Sequence, residues 1–187
     1  MNNRCPWSDS GEEMIKYHDE EWGVPVHDDR LFFEHLVLDI NQAGLSWKTI
    51  LLKRGNFRKA FDNFDPYIIA EYGQEKVESL LQDAGIIRNK MKIAAVIHNA
   101  GLFINLIENH GSFDKFIWSY TGGKPLLNKW KDLKELPAKT ELSDKISKDL
   151  KALGFKFLGS TVIYAFMQAA GIVNDHITTC FRYKECK

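Results

Sequence analysis

The sequence predicts an all-α fold, and its apolar pattern and its punctuation both support this prediction. Apolar residues recur at spacings of three and four along most of the chain, whereas the alternation typical of β-strands is scarce. Only five prolines interrupt the 187 residues, and no repeat or glycine- and serine-rich linker divides them. A chain of this length holds one domain, or two small lobes that share a core. We therefore expect one helical domain over residues 1–187.

Helical periodicity is clearest in four segments, and short polar residues precede several of the predicted helices. The segments are residues 31–38, 68–72, 77–81 and 93–107. A short side-chain oxygen accepts hydrogen bonds from the unpaired amides of a first helical turn. Asp65, Ser112 and Ser143 therefore predict helix starts.

Two glycine-containing joints, residues 83–90 and 153–161, connect predicted helices tightly. The second has the spacing of a helix-hairpin-helix, in which the following helix, residues 161–170, offers free amides and a positive dipole end to a phosphate. Glycine suits this role because a side chain would hold the phosphate away. An ordinary glycine helix terminus is the alternative, and spacing alone leaves both open.

The charges balance overall but are unevenly distributed. Basic and acidic residues both number 25, which argues against a protein that coats nucleic acid non-specifically. Residues 1–41 contain ten acids and three bases, whereas residues 47–61 contain five bases and no acid. Such basic patches fit a modest nucleic-acid footprint, and solvated helix faces explain them equally well.

The sequence also limits where in the cell we expect the protein and which state we expect for its cysteines. No apolar stretch approaches the roughly 20 residues that span a bilayer, and the N-terminus carries no secretion signal. We expect a cytoplasmic protein that binds no membrane. The three cysteines are an odd number, and Cys5 lies far from Cys180 and Cys186, so metal binding or free thiols are favoured over disulfides.

Four residues near the two ends of the chain form a candidate metal site. His176 and Cys180 are four apart, which places them on one face if the segment is helical, and Cys5 and His18 complete a Cys2His2 set. Such a set suits a closed tetrahedral Zn²⁺ site of structural type that ties the termini together. A buried cysteine and a hydrogen-bonded core histidine are the alternative. Cys186 is interpreted as a leftover thiol.

A second candidate site combines a carboxylate with aromatic residues. Asp39 lies within an apolar run, where a carboxylate needs a partner or has its pKa raised. A turn cap or a solvent-facing position is the alternative. Trp47, Trp7 and Tyr17 are candidates for an aromatic cage that binds a flat, cationic ring, although aromatic residues more often fill a core. No phosphate-binding glycine loop, G-x-S-x-G or H-E-x-x-H is present, so we expect no nucleotide cofactor.

Six ordered blocks closely resemble the 3-methyladenine DNA glycosylase I family, almost from end to end. The blocks are Cys5–Trp7, Tyr17–Pro25, Gln42–Trp47, Asp83–Arg88, Gly154–Gly159 and Asn174–His176 with Cys180. The resemblance implies a helix-hairpin-helix repair glycosylase that flips 3-methyladenine out of double-stranded alkylated DNA and hydrolyses its glycosidic bond, leaving an abasic site. It also implies structural Zn²⁺ at the Cys2His2 set. It further implies a zinc lobe of residues 1–30 plus 165–187 and a helical lobe of residues 31–164, with the hairpin near 153–161.

The resemblance also assigns roles in the base pocket. Trp47 would stack on the extruded base, with Tyr17 and Trp7 as walls. Asp39 would accept hydrogen bonds from the N–H edge of the base, and an acceptor-only anion would repel the O6 of guanine. The chain departs from the family at two positions. Asp39 stands where the family commonly has glutamate, and Met14 stands where it often has an aromatic residue.

For DNA binding, the resemblance assigns a wedge role to Leu45, after Gly44, which would fill the vacated base stack. A core leucine is the alternative. Within the hairpin, Lys156 and Gly159 are the expected DNA contacts. Asp175 falls near the place of the superfamily's catalytic aspartate. We expect it instead to orient the imidazole of His176, with stabilisation of an oxocarbenium ion as the alternative.

The leading hypothesis is therefore a monomeric glycosylase. We expect it to be monofunctional, without lyase activity, because no lysine lies in a sequence context that the family uses for a nucleophile. The alternative is a zinc-stapled helical module that binds alkylated DNA without cleaving it. A small-molecule binding protein that uses the aromatic cage is a third possibility and predicts no affinity for duplex DNA.

Overall fold

Helices make up most of residues 3–186, the part of the chain that the computed structural model describes. Nine α-helices follow one another within this range. They are α1 (Glu12–Glu20), α2 (Asp29–Gln42), α3 (Trp47–Ala60), α4 (Pro66–Ala70), α5 (Gln74–Gln82), α6 (Lys90–His110), α7 (Phe113–Trp118), α8 (Glu141–Ala152) and α9 (Ser160–Ala169). The predicted all-α class is confirmed.

Short elements complete the described chain. Five 3₁₀ helices span Pro6–Ser10, Asp62–Phe64, Ser119–Thr121, Leu133–Glu135 and Phe181–Lys184. Two-residue strands β1 (Leu126–Leu127) and β2 (Val173–Asn174) pair in parallel, with Leu126 opposite Val173. This pair brings the segment after α9 against the segment that follows α7.

Helix α2 lies at the centre of the core, because every residue from Phe32 to Asn41 is buried. A helix that is buried on all sides has neighbours on all sides, and α2 packs against α3, α6, α7 and α9. Within the same core, α4 packs on α6 and α8 packs on α9. A smaller apolar cluster, which includes Cys5, Tyr17, Trp22 and Ile177, joins the two ends of the described chain.

A close backbone crossing fixes the end of α9 against the segment that follows α1. The amide of Gly23 donates to the carbonyl of Gln168, and the amide of Val26 donates to that of Ala170. Gly171 has φ of +67°, and a Cβ there would lie 2.3 Å from the carbonyl carbon of Val24. Only glycine fits this crossing without moving the backbone.

Two of the three predicted helix caps are confirmed, and one is wrong. Asp65 accepts a hydrogen bond from the amide of Tyr67, and Ser112 accepts one from that of Lys115. Ser143, however, lies inside the first turn of α8, and Thr140 caps this helix. Thr140 and Ser143 form a reciprocal capping box, so the hydroxyl of Ser143 serves the helix start from its third position.

The joints that the glycines predict are present. Residues 83–89 connect α5 to α6, and residues 153–159 connect α8 to α9, which begins at Ser160, one residue before the predicted start. Helix α6 has the length and composition of a membrane span. Its residues Ile93, Val96 and Phe103 are buried in the core, as in the central helix of a packed bundle. That the chain binds no membrane stays a prediction.

Candidate functional site

A cavity of about 290 Å³, here called the inner pocket, lies among α1, α2, α3 and α9. Its lining residues are Trp7, Met14, Tyr17, Trp22, Asp39, Gln42, Trp47, Leu136, Ala165 and Gln168. The structure thus brings together the carboxylate and the three cage aromatics that the sequence singled out. The volume is close to the lower end for small-ligand sites, about 300 Å³, and suits one flat heterocycle.

Asp39 is a buried acid without a partner for one of its oxygens. It lies on α2 between apolar neighbours and is 3% exposed. Its Oδ2 has no hydrogen-bond partner in the described structure. Burial away from water disfavours the charged form and raises the pKa of Asp39 well above its usual range. The expectation that this carboxylate is buried is confirmed, and the alternative of a turn cap or a solvent-facing side chain is wrong.

Aromatic rings surround the space in front of Asp39. Tyr17 on α1 packs against Trp47, the first residue of α3, with ring centroids 5.2 Å apart. Trp7 packs against Tyr17 at 6.3 Å and edge-on against Trp22 at 5.0 Å. Burial, assisted by the negative charge of Asp39, raises the pKa of Tyr17, so its hydroxyl stays protonated. The faces of these rings attract a flat cation.

Met14 completes the wall on α1 as a flexible thioether. The Nε1 of Trp47 is buried and lacks a hydrogen-bond acceptor within the described structure. Two residues that line the inner pocket therefore each carry one buried polar atom without a partner, a donor on Trp47 and an acceptor on Asp39.

An outer cavity of about 640 Å³ adjoins the inner pocket. It is lined by Gly44, Leu45 and Ser46 on one side and by Thr161, Val162 and Tyr164 of α9 on another. Leu45 is 40% exposed, and Gly44 has φ of +81°, so the turn between α2 and α3 presents an apolar side chain outward.

Lys92 fixes the start of this turn. Its ammonium group donates to the carbonyls of Asn41 and Ala43, at 2.8 and 2.7 Å. Lysine side chains near a helix C-terminus satisfy carbonyls that have no partner inside the helix. Burial lowers the pKa of Lys92.

A side chain of α6 fixes the connection between α8 and α9. The side chain of Asn99 bonds both the amide and the carbonyl of Lys156, at 2.9 Å each. The side chain of Lys156 is exposed, and Gly159 lies directly before α9. Phe157, which is 41% exposed with φ of +61°, holds a left-handed conformation that is rare for a bulky residue.

The four predicted metal ligands converge, although they come from opposite ends of the chain. One ligand atom from each of Cys5, His18, His176 and Cys180 lies within 4.8 Å of all the others, and all four residues are buried. The Sγ of Cys180 is 3.4 Å from Nε2 of His18 and 3.5 Å from Nδ1 of His176. Hydrogen bonding from the Cys5 thiol, aided by both imidazoles and opposed by burial, lowers the pKa of Cys180.

The outward nitrogen of each imidazole is already engaged. The Nδ1 of His18 bonds Asp19 at 2.8 Å, and Arg4 holds the same carboxylate through two of its nitrogens. The Nε2 of His176 bonds the carbonyl of Trp22 at 2.9 Å. These bonds leave Nε2 of His18 and Nδ1 of His176 as the electron-pair donors that face the cysteines. The chemistry and spacing of this donor set fit a tetrahedral zinc ion.

One detail of the prediction for this segment is wrong. His176 and Cys180 lie in a turn after β2, closed by a bond from the amide of Cys180 to the carbonyl of Ile177, and not on a helix. Cys186, interpreted as a leftover thiol, is a free cysteine outside the four-residue cluster. It is buried, and its backbone carbonyl accepts a hydrogen bond from the side chain of Asn174.

The expected role of Asp175 is also wrong, because its carboxylate does not contact the imidazole of His176. The side chain is fully buried and accepts four hydrogen bonds of 2.6–2.7 Å, from Asn128 and Trp130 on Oδ1 and from Tyr164 and Gln168 on Oδ2. Both oxygens are therefore occupied, and Asp175 lines neither cavity.

Several residues of the site were not predicted from the sequence. Asp19 and Trp22 lie inside the resembling block Tyr17–Pro25, but their contacts with the imidazoles depend on the fold. Gln168 carried a weak signal as a polar residue in an otherwise mostly apolar stretch. Gln42 gave none beyond its place in a resembling block.

Fold and site together define a class: a helical protein with a buried carboxylate in an aromatic pocket and a Cys2His2 cluster beside that pocket. The model of the methyladenine glycosylase family matches residues 7–183. DNA-3-methyladenine glycosylase 1 of Escherichia coli (strain K12) is 47% identical over 180 residues, with 96% of each chain covered. This chain belongs to the methyladenine glycosylase family, as the sequence resemblance predicted.

Experimental structures of relatives have the same fold. A crystal structure of a 3-methyladenine DNA glycosylase I is similar with a TM-score of 0.93 and 49% identity, covering 96% of this chain and 98% of that one. A structure that describes 3-methyladenine recognition by the Staphylococcus aureus enzyme has a TM-score of 0.92 at 33% identity, with 96% and 95% covered.

Proposed function

We propose that this chain is a DNA repair glycosylase that flips 3-methyladenine out of alkylated duplex DNA and releases it by hydrolysis, leaving an abasic site. The observation that carries the proposal is the partnerless carboxylate of Asp39, buried at the inner pocket among Tyr17, Trp47 and Trp7. A carboxylate in this position is unfavourable unless a ligand brings N–H groups and positive charge. The family to which the chain belongs supplies such a ligand.

The chemistry of the damaged base explains why the pocket needs few catalytic groups. Methylation at N3 places a positive charge on the purine, so the C1′–N9 bond breaks with both electrons on N9 and the base leaves neutral. Water adds to C1′ and releases one proton. The damaged base pair is weakened, so flipping is also easier than for a normal base.

Asp39 selects the base by hydrogen bonding and charge. Its carboxylate accepts from the N–H edge of a cationic adenine and repels the O6 acceptor of a guanine. The cation lowers the pKa of Asp39 from its raised value in the empty pocket, because an opposite charge favours ionisation. The side chain is one methylene shorter than the glutamate common in the family, so contact through one water is an alternative to direct contact.

Zinc belongs to the proposal as a structural ion. Cys5, His18, His176 and Cys180 would hold it, and their separation along the chain means that it would tie residues 5–18 to residues 176–180. Four protein ligands leave no position for water, so the ion would give stability and no chemistry. In this interpretation residues 1–187 form one glycosylase domain, with a zinc lobe of residues 1–30 and 165–187.

The outer cavity is the proposed path for DNA. Leu45 would enter the base stack that the flipped nucleotide leaves, and Gly44 permits the turn that presents it. The α8–α9 hairpin would act as a helix-hairpin-helix, with the backbone before α9 at Gly159 and the ammonium of Lys156 on a phosphate.

Release of free base tests the proposal. Purified protein is incubated with methylated duplex DNA under single-turnover conditions, and released bases are identified by chromatography. The Asp39→Asn variant keeps the shape of the side chain but removes its charge. Glu108→Gln makes the same chemical change at an exposed residue of α6 that lines neither cavity.

We expect 3-methyladenine release by the wild type and by Glu108→Gln, and a rate lower by about 100-fold in Asp39→Asn. No release by a folded wild-type protein that binds the DNA would overturn the proposal and favour a module that binds alkylated DNA without cleaving it.

A further inference from the structure

Gln168 lies where the inner pocket meets the outer cavity. Only Gln42, Ala165 and Gln168 line both spaces among the described residues. A nucleotide that passes its base into the inner pocket and leaves its sugar toward the DNA has its glycosidic bond at this junction. The side chains found here are therefore close to the bond that breaks.

The amide of Gln168 has a fixed orientation. One end of it lies 2.7 Å from Oδ2 of Asp175. A carboxylate accepts hydrogen bonds, so this end is the Nε2 donor and the carbonyl Oε1 is at the other end. Within residues 3–186, Oε1 receives no hydrogen bond, although it belongs to a side chain that lines both cavities. It is thus a free acceptor.

Asp175 is itself immobilised by its other partners. Tyr164 shares Oδ2 with Gln168, and Asn128 and Trp130 occupy Oδ1, all within 2.7 Å. Convergent hydrogen bonds from two segments, 128–130 and α9, lock the carboxylate, and the carboxylate in turn locks the amide. The other amide at the junction, that of Gln42, makes no side-chain hydrogen bond in the described structure, so its orientation is not fixed in this way.

We propose that Gln168 orients the attacking water through its Oε1 and that Asp175 is a positioning residue that acts only through Gln168. This inference rests on the proposed glycosylase function. The water donates one hydrogen bond to Oε1 and turns a lone pair toward C1′. Its oxygen bonds to C1′ as the C1′–N9 bond breaks and the base leaves neutral, and the released proton passes to solvent through the outer cavity.

An oriented acceptor is sufficient for this reaction. The leaving base is already cationic, so the sugar develops positive charge and needs little activation of the nucleophile. Gln168 then raises the rate of base release by holding the attacking water in position. Misplacement of a reacting group by about 1 Å lowers rates by roughly 100-fold.

The test compares Gln168→Met, Asp175→Asn and the double variant in three measurements. These are the single-turnover rate constant of 3-methyladenine release, the affinity for free 3-methyladenine from tryptophan fluorescence, and the affinity for duplex DNA with an abasic-site analogue. Methionine preserves the length of the side chain but removes the amide. Asn128→Leu removes a donor from the other oxygen of Asp175 and so reports general damage to the buried network.

We expect Gln168→Met to lower the rate constant by about 10- to 100-fold while both affinities stay within about twofold of wild type. Asp175→Asn lowers the rate in the same way, because an amide in place of the carboxylate lets Gln168 turn. The double variant is no slower than the slower single variant, since the two residues act as one unit. Asn128→Leu has the smaller effect.

Three results would each overturn the inference. One is an unchanged rate in Gln168→Met, and a second is a loss of free-base affinity equal to its loss of rate, which would make Gln168 a base contact. The third is an equal loss of rate in Asn128→Leu, which would make the network merely structural. If Asp175→Asn does not fold, the rates and affinities of Gln168→Met and Asn128→Leu still decide whether the inference stands. Failure of the wild type to release any base would refute the glycosylase function itself and is distinct from these results.

Discussion

Replacing Asp39 with asparagine should make the protein more stable while it weakens base recognition. The buried Oδ2 has no partner in the described structure, and burial raises the pKa of Asp39 well above its usual range. In the unfolded chain the pKa is about 3.9. Between these two values the native state binds more protons than the unfolded state, so the Asp39 contribution to stability falls as the pH rises through this window.

The size of the effect follows from the missing hydrogen bond. A buried polar group without a partner costs about 1–3 kcal/mol, and a charged group costs more. Asparagine retains the neutral part of this penalty and removes the part due to charge. We therefore expect Asp39→Asn to match the wild type near pH 3 and to exceed its free energy of unfolding by about 1–2 kcal/mol above the window. For a chain of this size, this difference raises the unfolding midpoint by about 2–8 °C.

Urea unfolding of both proteins at a series of pH values measures the difference directly. The metal ligands and the other acids titrate in both proteins, so their effects cancel in the comparison. The same series of single-turnover rates should show activity that rises with pH in the wild type, as Asp39 ionises, and a flat, low rate in Asp39→Asn. A stability difference that does not change with pH, or that favours the wild type more as the pH rises, would refute the reasoning.

Three further predictions concern the elements that hold the site. Cys180→Ala should lose bound zinc and lower the unfolding midpoint by about 10 °C, whereas Cys186→Ala, which changes a buried thiol outside the cluster, should keep one zinc per chain by atomic absorption. Lys92→Met should lower stability by about 2 kcal/mol in urea unfolding, because two carbonyls at the end of α2 lose their donor; an unchanged midpoint would show that this cap is dispensable. Gly171→Ala should destabilise by about 3 kcal/mol or more, because a Cβ meets the Val24 backbone at 2.3 Å. In the matched control, Gly101→Ala within α6, the added Cβ meets no atom within 4 Å, and this variant should be as stable as the wild type or slightly more so.

Several helices and some of their starts could be predicted from the sequence, because they depend on local pattern. Apolar spacing predicted α2 and α6, and the oxygens of Asp65 and Ser112 marked two helix starts. The start of α8 was misplaced because Thr140 and Ser143 are both good caps. Which of them begins the helix depends on a reciprocal bond that no single residue shows.

The site was predictable only where residue type alone limits the chemistry. Cysteine and histidine side chains share the donor chemistry that zinc prefers, and an acid in an apolar run needs a partner or has its pKa raised, so the sequence indicated Asp39 and the Cys2His2 set. The role of Asp175 was misjudged because its four donors come from two distant segments, 128–130 and 164–168, and only the folded chain brings these together. The proposed role of Gln168 depends on the same hydrogen-bond network, so the structure indicates this role and the sequence gives almost no sign of it.

The protein is proposed to recognise one methylated base in its inner pocket and to release that base from DNA. A direct measurement of its selectivity between two methylated bases tests this proposal. DNA treated with a methylating agent contains both 3-methyladenine and 7-methylguanine. The purified protein is incubated with this DNA in duplex form, and both free bases are quantified over time. We expect 3-methyladenine to be released while 7-methylguanine stays in the DNA, because the O6 of guanine meets the carboxylate of Asp39. Equal release of the two bases, or release of neither by folded protein, would contradict it.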